Sequence, residues 1–323
     1  MQPFFLPTQV ELSFQKRKNK DQYLIYTNMK IYSISNLLNK LKSNNDTEKI
    51  LLGRLLVEQN RKKDSVSLSD YEFQVFSQWG EDGIIQYLVH KLNINTKVFV
   101  EFGVETYHEA NTRFLLMKDN WSGLVIDGSK SNIDMIRKQS ISWKHSLSSV
   151  QKFITAENIN TIITGSGIEG EIGILSVDID GNDYWVTKAI DCIQPIILIN
   201  EYNSVFGPDR PISVPYDPSF QRTSAHHSNL YYGASLAALT HLANEKGYAL
   251  VGCNSAGNNA FFVRRDKLSS LIELSVQEAF VDAKFREARD KNGKLLYLTG
   301  PQRYEYIKGL PVVNVLTNQM DVL

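Results

Sequence analysis

The stretch Val98-Phe99-Val100-Glu101-Phe102-Gly103-Val104-Glu105 constrains this chain more than any other. It reads as a short apolar strand that runs into a carboxylate and then a glycine. A helical segment follows, with Ala110, Phe114, Leu115 and Met117 on its inner face. About twenty residues beyond the glycine, a second apolar strand, Gly123-Leu124-Val125-Ile126, ends in Asp127. Strand, acidic glycine turn, helix, strand and terminal acid make a βαβ unit, which belongs to a parallel sheet. Gly103 lets backbone come close to a ligand. An acid at the end of the second strand can accept hydrogen bonds from both hydroxyls of a ribose.

The pattern continues downstream. A third strand is expected at 150–154, a fourth and stronger one at 172–177, and a fifth at 195–200. Helical segments are expected from Ser129 and from Asn158, and a third ends at Ile190. Then come a helix over 234–245 and a hairpin pairing 248–252 with 260–263 across a glycine- and asparagine-rich turn. This predicts an α/β fold: a Rossmann-like, seven-stranded, mostly parallel sheet with a C-terminal antiparallel hairpin strand, plus an N-terminal helical extension. Ligands in such sheets sit at the carboxyl ends of the strands. Glu101, Asp127, Glu157, Asp178, Asp180 and the run Glu201-Tyr202-Asn203 all fall there.

Apolar spacing predicts two helices over 30–61, one carrying Ile34, Leu37, Leu38 and Leu41, the other Ile50, Leu51, Leu52, Leu55 and Leu56. Their faces need cover, either from the sheet domain or from a second copy of the chain in a homo-oligomer. The expected division is 1–70 for an arm and helical extension, 71–265 for the sheet domain, and 266–323 for an amphipathic helix (Leu268, Leu271, Ile272, Leu274, Phe280) and a tail. The 35 basic and 35 acidic residues cancel, which argues against a broad nucleic-acid-binding face. No apolar run is long enough to span a membrane, and the N-terminus lacks signal-peptide character. Cys192 and Cys253 form no disulfide framework, so a cytoplasmic protein is expected.

No Gly-x-Gly-x-x-Gly is present in the first turn, and Glu101 and Glu105 stand where a pyrophosphate would sit. That suits a cofactor with positive charge and no phosphate, such as S-adenosylmethionine. The segment Phe76-Ser77-Gln78-Trp79-Gly80-Glu81-Asp82-Gly83 precedes another helix. Its acids either complement the helix dipole or shape a loop over the cofactor.

Over roughly residues 77–265 the sequence resembles the class I S-adenosylmethionine-dependent methyltransferases. The runs Ser77–Gly83, Phe99–Gly103 and Val177–Gly181 are similar to FkbM-type enzymes. Ile179–Tyr184 with Asn200-Glu201-Tyr202 is similar to metal-dependent sugar O-methyltransferases. The resemblance implies that Glu101 and Gly103 face the methionine end, with Asn111 in the same cofactor-contacting set. It implies that Asp127 holds the ribose, that Glu157 or backbone near Ala156 approaches the adenine, and that Asp178 and Asp180 lie beside the reacting methyl. Asp180 and Glu201 match the acids of those enzymes, while Asn200 stands in place of the first of a pair; a magnesium ion on Asp180 and Glu201 is implied. The acceptor implied is a hydroxyl of a sugar, glycan, sugar nucleotide or related natural product, with a small-molecule or amine acceptor left open.

A hydroxyl acceptor must lose its proton to a carboxylate or histidine, or meet a metal that lowers its pKa. Asp180, Glu201, His226 and His227 are the candidates, and Asn203 is a further oxygen ligand for a hard cation. The proline-rich insert 204–232 reads as a substrate lid, with Tyr231 and Tyr232 either stacking on a ring or half-buried in a core. A non-catalytic Rossmann scaffold in a glycan-assembly complex and an NAD-dependent oxidoreductase are the alternative functions.

Overall fold

A computed structural model describes residues 45–323. The arm and the first expected helix, with Ile34, Leu37, Leu38 and Leu41, lie outside the described residues. Residues 45–60 form helix α1. Residues Gly53–Leu323 make one compact unit.

The sheet domain follows the expected alternation. In chain order it runs α2 (Glu81–Lys91), β1 (Val98–Phe102), α3 (Arg113–Asp119), β2 (Ser122–Asp127), α4 (Lys130–Lys138), α5 (Ile141–Lys144), β3 (Leu147–Gln151) and α6 (Ile159–Gly165). It continues with β4 (Gly170–Val177), α7 (Asp183–Ala189), β5 (Ile193–Glu201), β6 (Ile212–Ser213), α8 (Arg222–Ala225), α9 (Leu236–Glu245), β7 (Tyr248–Cys253) and β8 (Asn259–Arg264). The chain closes with α10 (Val276–Ala279), α11 (Pro301–Ile307), β9 (Pro311–Asn314) and β10 (Gln319–Val322). Side-chain caps start the helices where the sequence supplies them: the Ser129 hydroxyl accepts from Asn132 N–H at α4, and that of Ser235 from Ala238 N–H at α9.

Seven strands form one sheet in the order β3-β2-β1-β4-β5-β8-β7. β1 to β5 are parallel, and β8 pairs antiparallel with both β5 and β7. The fold is therefore the expected Rossmann-like α/β sheet, closed by a hairpin that contributes one antiparallel strand. Alternate residues bury opposite faces. Val100, Phe102, Leu124, Leu175 and Leu198 pack on one side, and Phe99, Val125, Ile174, Ile197 and Ile199 on the other. Burying each such side chain contributes about 1.5–3 kcal/mol, so both faces of the sheet hold the strand ends in place.

Three local expectations change. β3 starts at Leu147, and its last pair is Asp127 with Gln151, so Lys152–Ile154 have already left the sheet. The single amphipathic helix expected after 266 is replaced by a 3-10 turn, Arg265–Lys267, and the four-residue α10, which starts on a Ser275–Glu278 capping box. Leu268 and Leu271 pack on one face of the sheet, and Leu274, Val276 and Phe280 on the other. One straight helix cannot reach both. The tail also has its own sheet: β6, β9 and β10 pair antiparallel, burying Phe206, Ile212, Val214, Leu230, Ile307, Val312 and Leu323 together. Insert and tail thus share a core, in a pairing about 100 residues long in sequence that no local pattern announces. Among the described residues no helix is long and apolar enough to cross a membrane.

Candidate active site

The ends of β1, β2, β4 and β5 open into a cavity of about 760 Å³. At the end of β1, Gly103 has φ +68°, and a Cβ there would lie 1.7 Å from the Asp178 carbonyl oxygen. The β1 and β4 loops therefore touch through bare backbone, which glycine alone allows. Glu101 points into the start of α3. Its carboxylate accepts from the N–H groups of Asn111 (2.7 Å) and Thr112 (3.1 Å) and from the Thr112 hydroxyl. Burial pushes its pKa from the ordinary 4.5 up to about 7, against those three donors. Asn111 reaches back with its side-chain amide to Ser176 Oγ on β4, 3.1 Å away. At the end of β2, Asp127 accepts from Glu105 N–H (2.9 Å), Ser129 N–H (2.8 Å) and the Asn132 amide (3.1 Å). Glu101, Gly103, Asn111 and Asp127 all line the cavity.

Glu157 does not. It is exposed, and its carboxylate accepts from the Tyr216 hydroxyl at 2.6 Å. Lys152, Phe153 and Ile154 form the wall beyond β3 in its place. The earlier end of β3 moves this wall upstream by several residues.

The opposite end of the cavity is strongly acidic. Asp183, fully buried at the start of α7, accepts from Ile179 N–H (2.8 Å) and Gly181 N–H (2.9 Å) and folds the loop after β4 back on itself. Asp180 takes a left-handed conformation there, φ +55°. One carboxylate oxygen each from Asp178, Asp180 and Glu201 lie within 4.8 Å of one another. Glu201 is 6% exposed, and its Oε2 meets no donor among the described residues. Burial, and then the neighbouring negative charges, hold the Asp178 and Glu201 carboxyls well above the usual range.

Arg222, on α8 of the insert, faces this cluster. It donates to Asp180 Oδ1 (2.6 Å), to the Asn229 carbonyl (2.8 Å) and to Glu287 of the tail. Its guanidinium lies 3.7 Å from the centroid of the Tyr232 ring. Phe220 packs against Gly181, and Trp79 stacks on Phe285 with ring centroids 6.1 Å apart. Phe220, Arg222, Trp79, Phe285 and Glu287 all line the cavity. None of Phe220, Arg222, Phe285 or Glu287 carries a sequence signal; they sit in an insert and a tail without periodicity.

Several expected candidates point elsewhere. His226 is not in the cavity wall: its Nδ1 lies 2.7 Å from Ser228 Oγ and its ring packs on His227 and Tyr306. The single turn of α8 aims Arg222 at the acids and carries His226 past them. Asn203 is consumed as a cap, its amide donating to the Leu230 and Tyr232 carbonyls and its oxygen accepting from Val205 N–H. Asn200 alternates to the other face of β5 and donates to Thr187 Oγ1. Tyr231 and Tyr232 are buried in the core.

Both acids of the loop before α2 stand in that helix's first turn, where they complement its dipole, and their side chains also brace the loop. Asp82 Oδ2 accepts from the N–H groups of Val75, Phe76 and Ser77. Glu81 accepts from Asn254, Asn259 and Trp79 N–H, tying the loop to the β7–β8 turn. Held in this way, the loop presents Gln78 and Trp79 to the cavity.

No protein-family model and no curated protein matches the sequence. Solved structures that match include an S-adenosylmethionine-dependent methyltransferase from Clostridium acetobutylicum (9% identity, TM-score 0.37, 57% of this chain and 89% of that one). A second is the O-methyltransferase from Bacillus cereus in complex with S-adenosylhomocysteine, SAH (13%, 0.37, 67% and 89%). A third is the N-terminal domain of EvdMO1 with SAH bound (9%, 0.38, 65% and 94%). At such scores the fold assignment rests on the strand order itself.

Proposed function

We propose that this chain is an S-adenosylmethionine-dependent methyltransferase acting on a hydroxyl of a sugar or glycan-type acceptor. The observation that carries the reading is one cavity with a ribose-type acid, Asp127, at the end of β2 and a carboxylate cluster at the ends of β4 and β5. The first turn offers carboxylates instead of a phosphate cradle.

In this reading the backbone at Gly103, whose N–H donates to the Ile126 carbonyl, bounds the methionine part of the cofactor together with Glu101 and Asn111. Asp127 accepts from the ribose hydroxyls, and Lys152–Ile154 flank the adenine. The sulfonium methyl then faces Asp178. The acceptor oxygen forms a bond to the methyl carbon as the carbon–sulfur bond breaks in line, leaving SAH as a neutral thioether. The hydroxyl proton passes to Glu201 or Asp178. Their raised pKa values suit a base that must take a proton from a weak acid.

The same acids fit a hard divalent cation. Three carboxylates converge, and Glu201 Oε2 is buried without a donor among the described residues. Asp178, Asp180 and Glu201 would hold magnesium, which when bound lowers the pKa of an acceptor hydroxyl.

Calorimetric titration of S-adenosylmethionine, SAH and NAD, with and without magnesium, tests the reading. Micromolar binding of the first two, weakened roughly thirtyfold in Asp127→Ala, is expected. Binding of NAD alone would replace the methyltransferase with an oxidoreductase. Silence from all three would leave a scaffold.

A further inference from the structure

The acceptor end of the cavity has a charge balance that selects among sugars. Asp178, Asp180, Glu201 and Glu287 meet there, with Arg222 as the cation facing them. Arg222 is already shared between Asp180 and Glu287. A divalent ion among the three clustered acids, or a proton between two of them, still leaves this end net negative. Without a divalent ion to bridge them, a phosphate or sugar nucleotide brought here would be repelled at short range in a partly desolvated site.

Two further features say what the excess charge is for. Glu201 Oε2 is buried and has no donor among the described residues, so one strong acceptor waits for a hydrogen-bond donor. Aromatic side chains line the same cavity: Trp79 stacked on Phe285, and Phe220 seated on Gly181, next in sequence to Asp180. A cavity lined by carboxylates and aromatic rings is a good environment for an ammonium group and a poor one for an anion.

Resting on the methyl-transfer reading above, we infer that the acceptor is an amine-bearing ring, an amino sugar or a similar cyclic amine, and not a phosphorylated sugar. The ring lies between Trp79–Phe285 and Phe220. Its ammonium group donates to Glu201 in place of a divalent ion, and a neighbouring hydroxyl faces the methyl, with Asp178 left to take its proton.

The full chain, saturated with SAH, is titrated with methyl glucosaminide, its N-acetyl form, methyl glucoside and glucose 6-phosphate, with and without magnesium. The free amine should bind about tenfold or more tightly than its N-acetyl form, and the phosphate should show no binding. Glu201→Gln should erase the amine preference while SAH affinity holds, and Phe285→Ala should weaken the amine about threefold or more. Equal binding of amine and N-acetyl forms, binding of the phosphate, or no binding by any member overturns the proposal. The two readings separate cleanly. SAH binding without amine preference overturns the subsite alone. Amine preference in a protein that binds neither SAH nor S-adenosylmethionine overturns methyl transfer and leaves the subsite standing.

Discussion

The two ends of the cavity are built in opposite ways. At the cofactor end, Glu101, Gly103, Asn111 and Asp127 come from one continuous βαβ segment, and their partners are mostly backbone N–H groups within it. At the acceptor end, Asp178, Asp180 and Glu201 meet Arg222 from the insert, Phe285 and Glu287 from the tail, and Trp79 from before the sheet. The first end is fixed once the central strands pair. The second is complete only when insert and tail have folded over it. Damage to the first should therefore be felt as lost stability, and damage to the second as lost ligand selectivity.

Gly103→Ala should break this contrast most. Left-handed strain and a Cβ driven into the Asp178 carbonyl should cost about 3–5 kcal/mol, read by urea unfolding. A loss below about 1 kcal/mol would mean that the two loops separate freely.

The next effect is in pH. Glu101 is raised in the folded state to about 7, and Asp82 and Asp183 to about 6. Folding therefore favours their protonated forms. Stability should fall as pH rises from about 4.5 to about 7, by about 2–3 kcal/mol for Glu101. Melting curves across that range check the sign. Magnesium should relieve the part due to Asp178 and Glu201 and leave the Glu101 part untouched. Relief of the whole slope would erase the distinction between the two ends.

Asp127→Ala should weaken SAH by about 2 kcal/mol, roughly thirtyfold, with magnesium affinity unchanged in calorimetry. Arg222→Met should cost about 1 kcal/mol of stability, since Asp180 and Glu287 keep contact with solvent. Its cofactor affinity should stay within about twofold. If Arg222→Met abolishes SAH binding instead, the two ends are one coupled unit.

The sequence was most informative where structure is local. Val98–Phe102 and Ser122–Asp127 are strands because short apolar runs beside glycine and acid turns have no better arrangement in a two-faced sheet. The placement of Asp127 and Glu201 at strand ends follows from the same runs. Glu157 was misplaced because a shift of three residues in β3 moves the following loop off the wall. His226, a candidate base because histidine can take a hydroxyl proton, lies off the wall because a single turn of α8 decides which side chain faces the acids.

By itself, then, the sequence determined the order of strands and helices, the parallel sheet and the acids at its carboxyl edge. Periodicity and glycine placement act over a few residues and need no distant partner. Only the tertiary structure decided that Glu101 is spent on the start of α3, that Asn200 and Asn203 turn away from the cavity, and that Arg222 joins Asp180 to Glu287. Those outcomes depend on strand register, on which face a side chain leaves, and on β6 pairing with β9. Contacts between residues so far apart in the chain leave no local pattern to read.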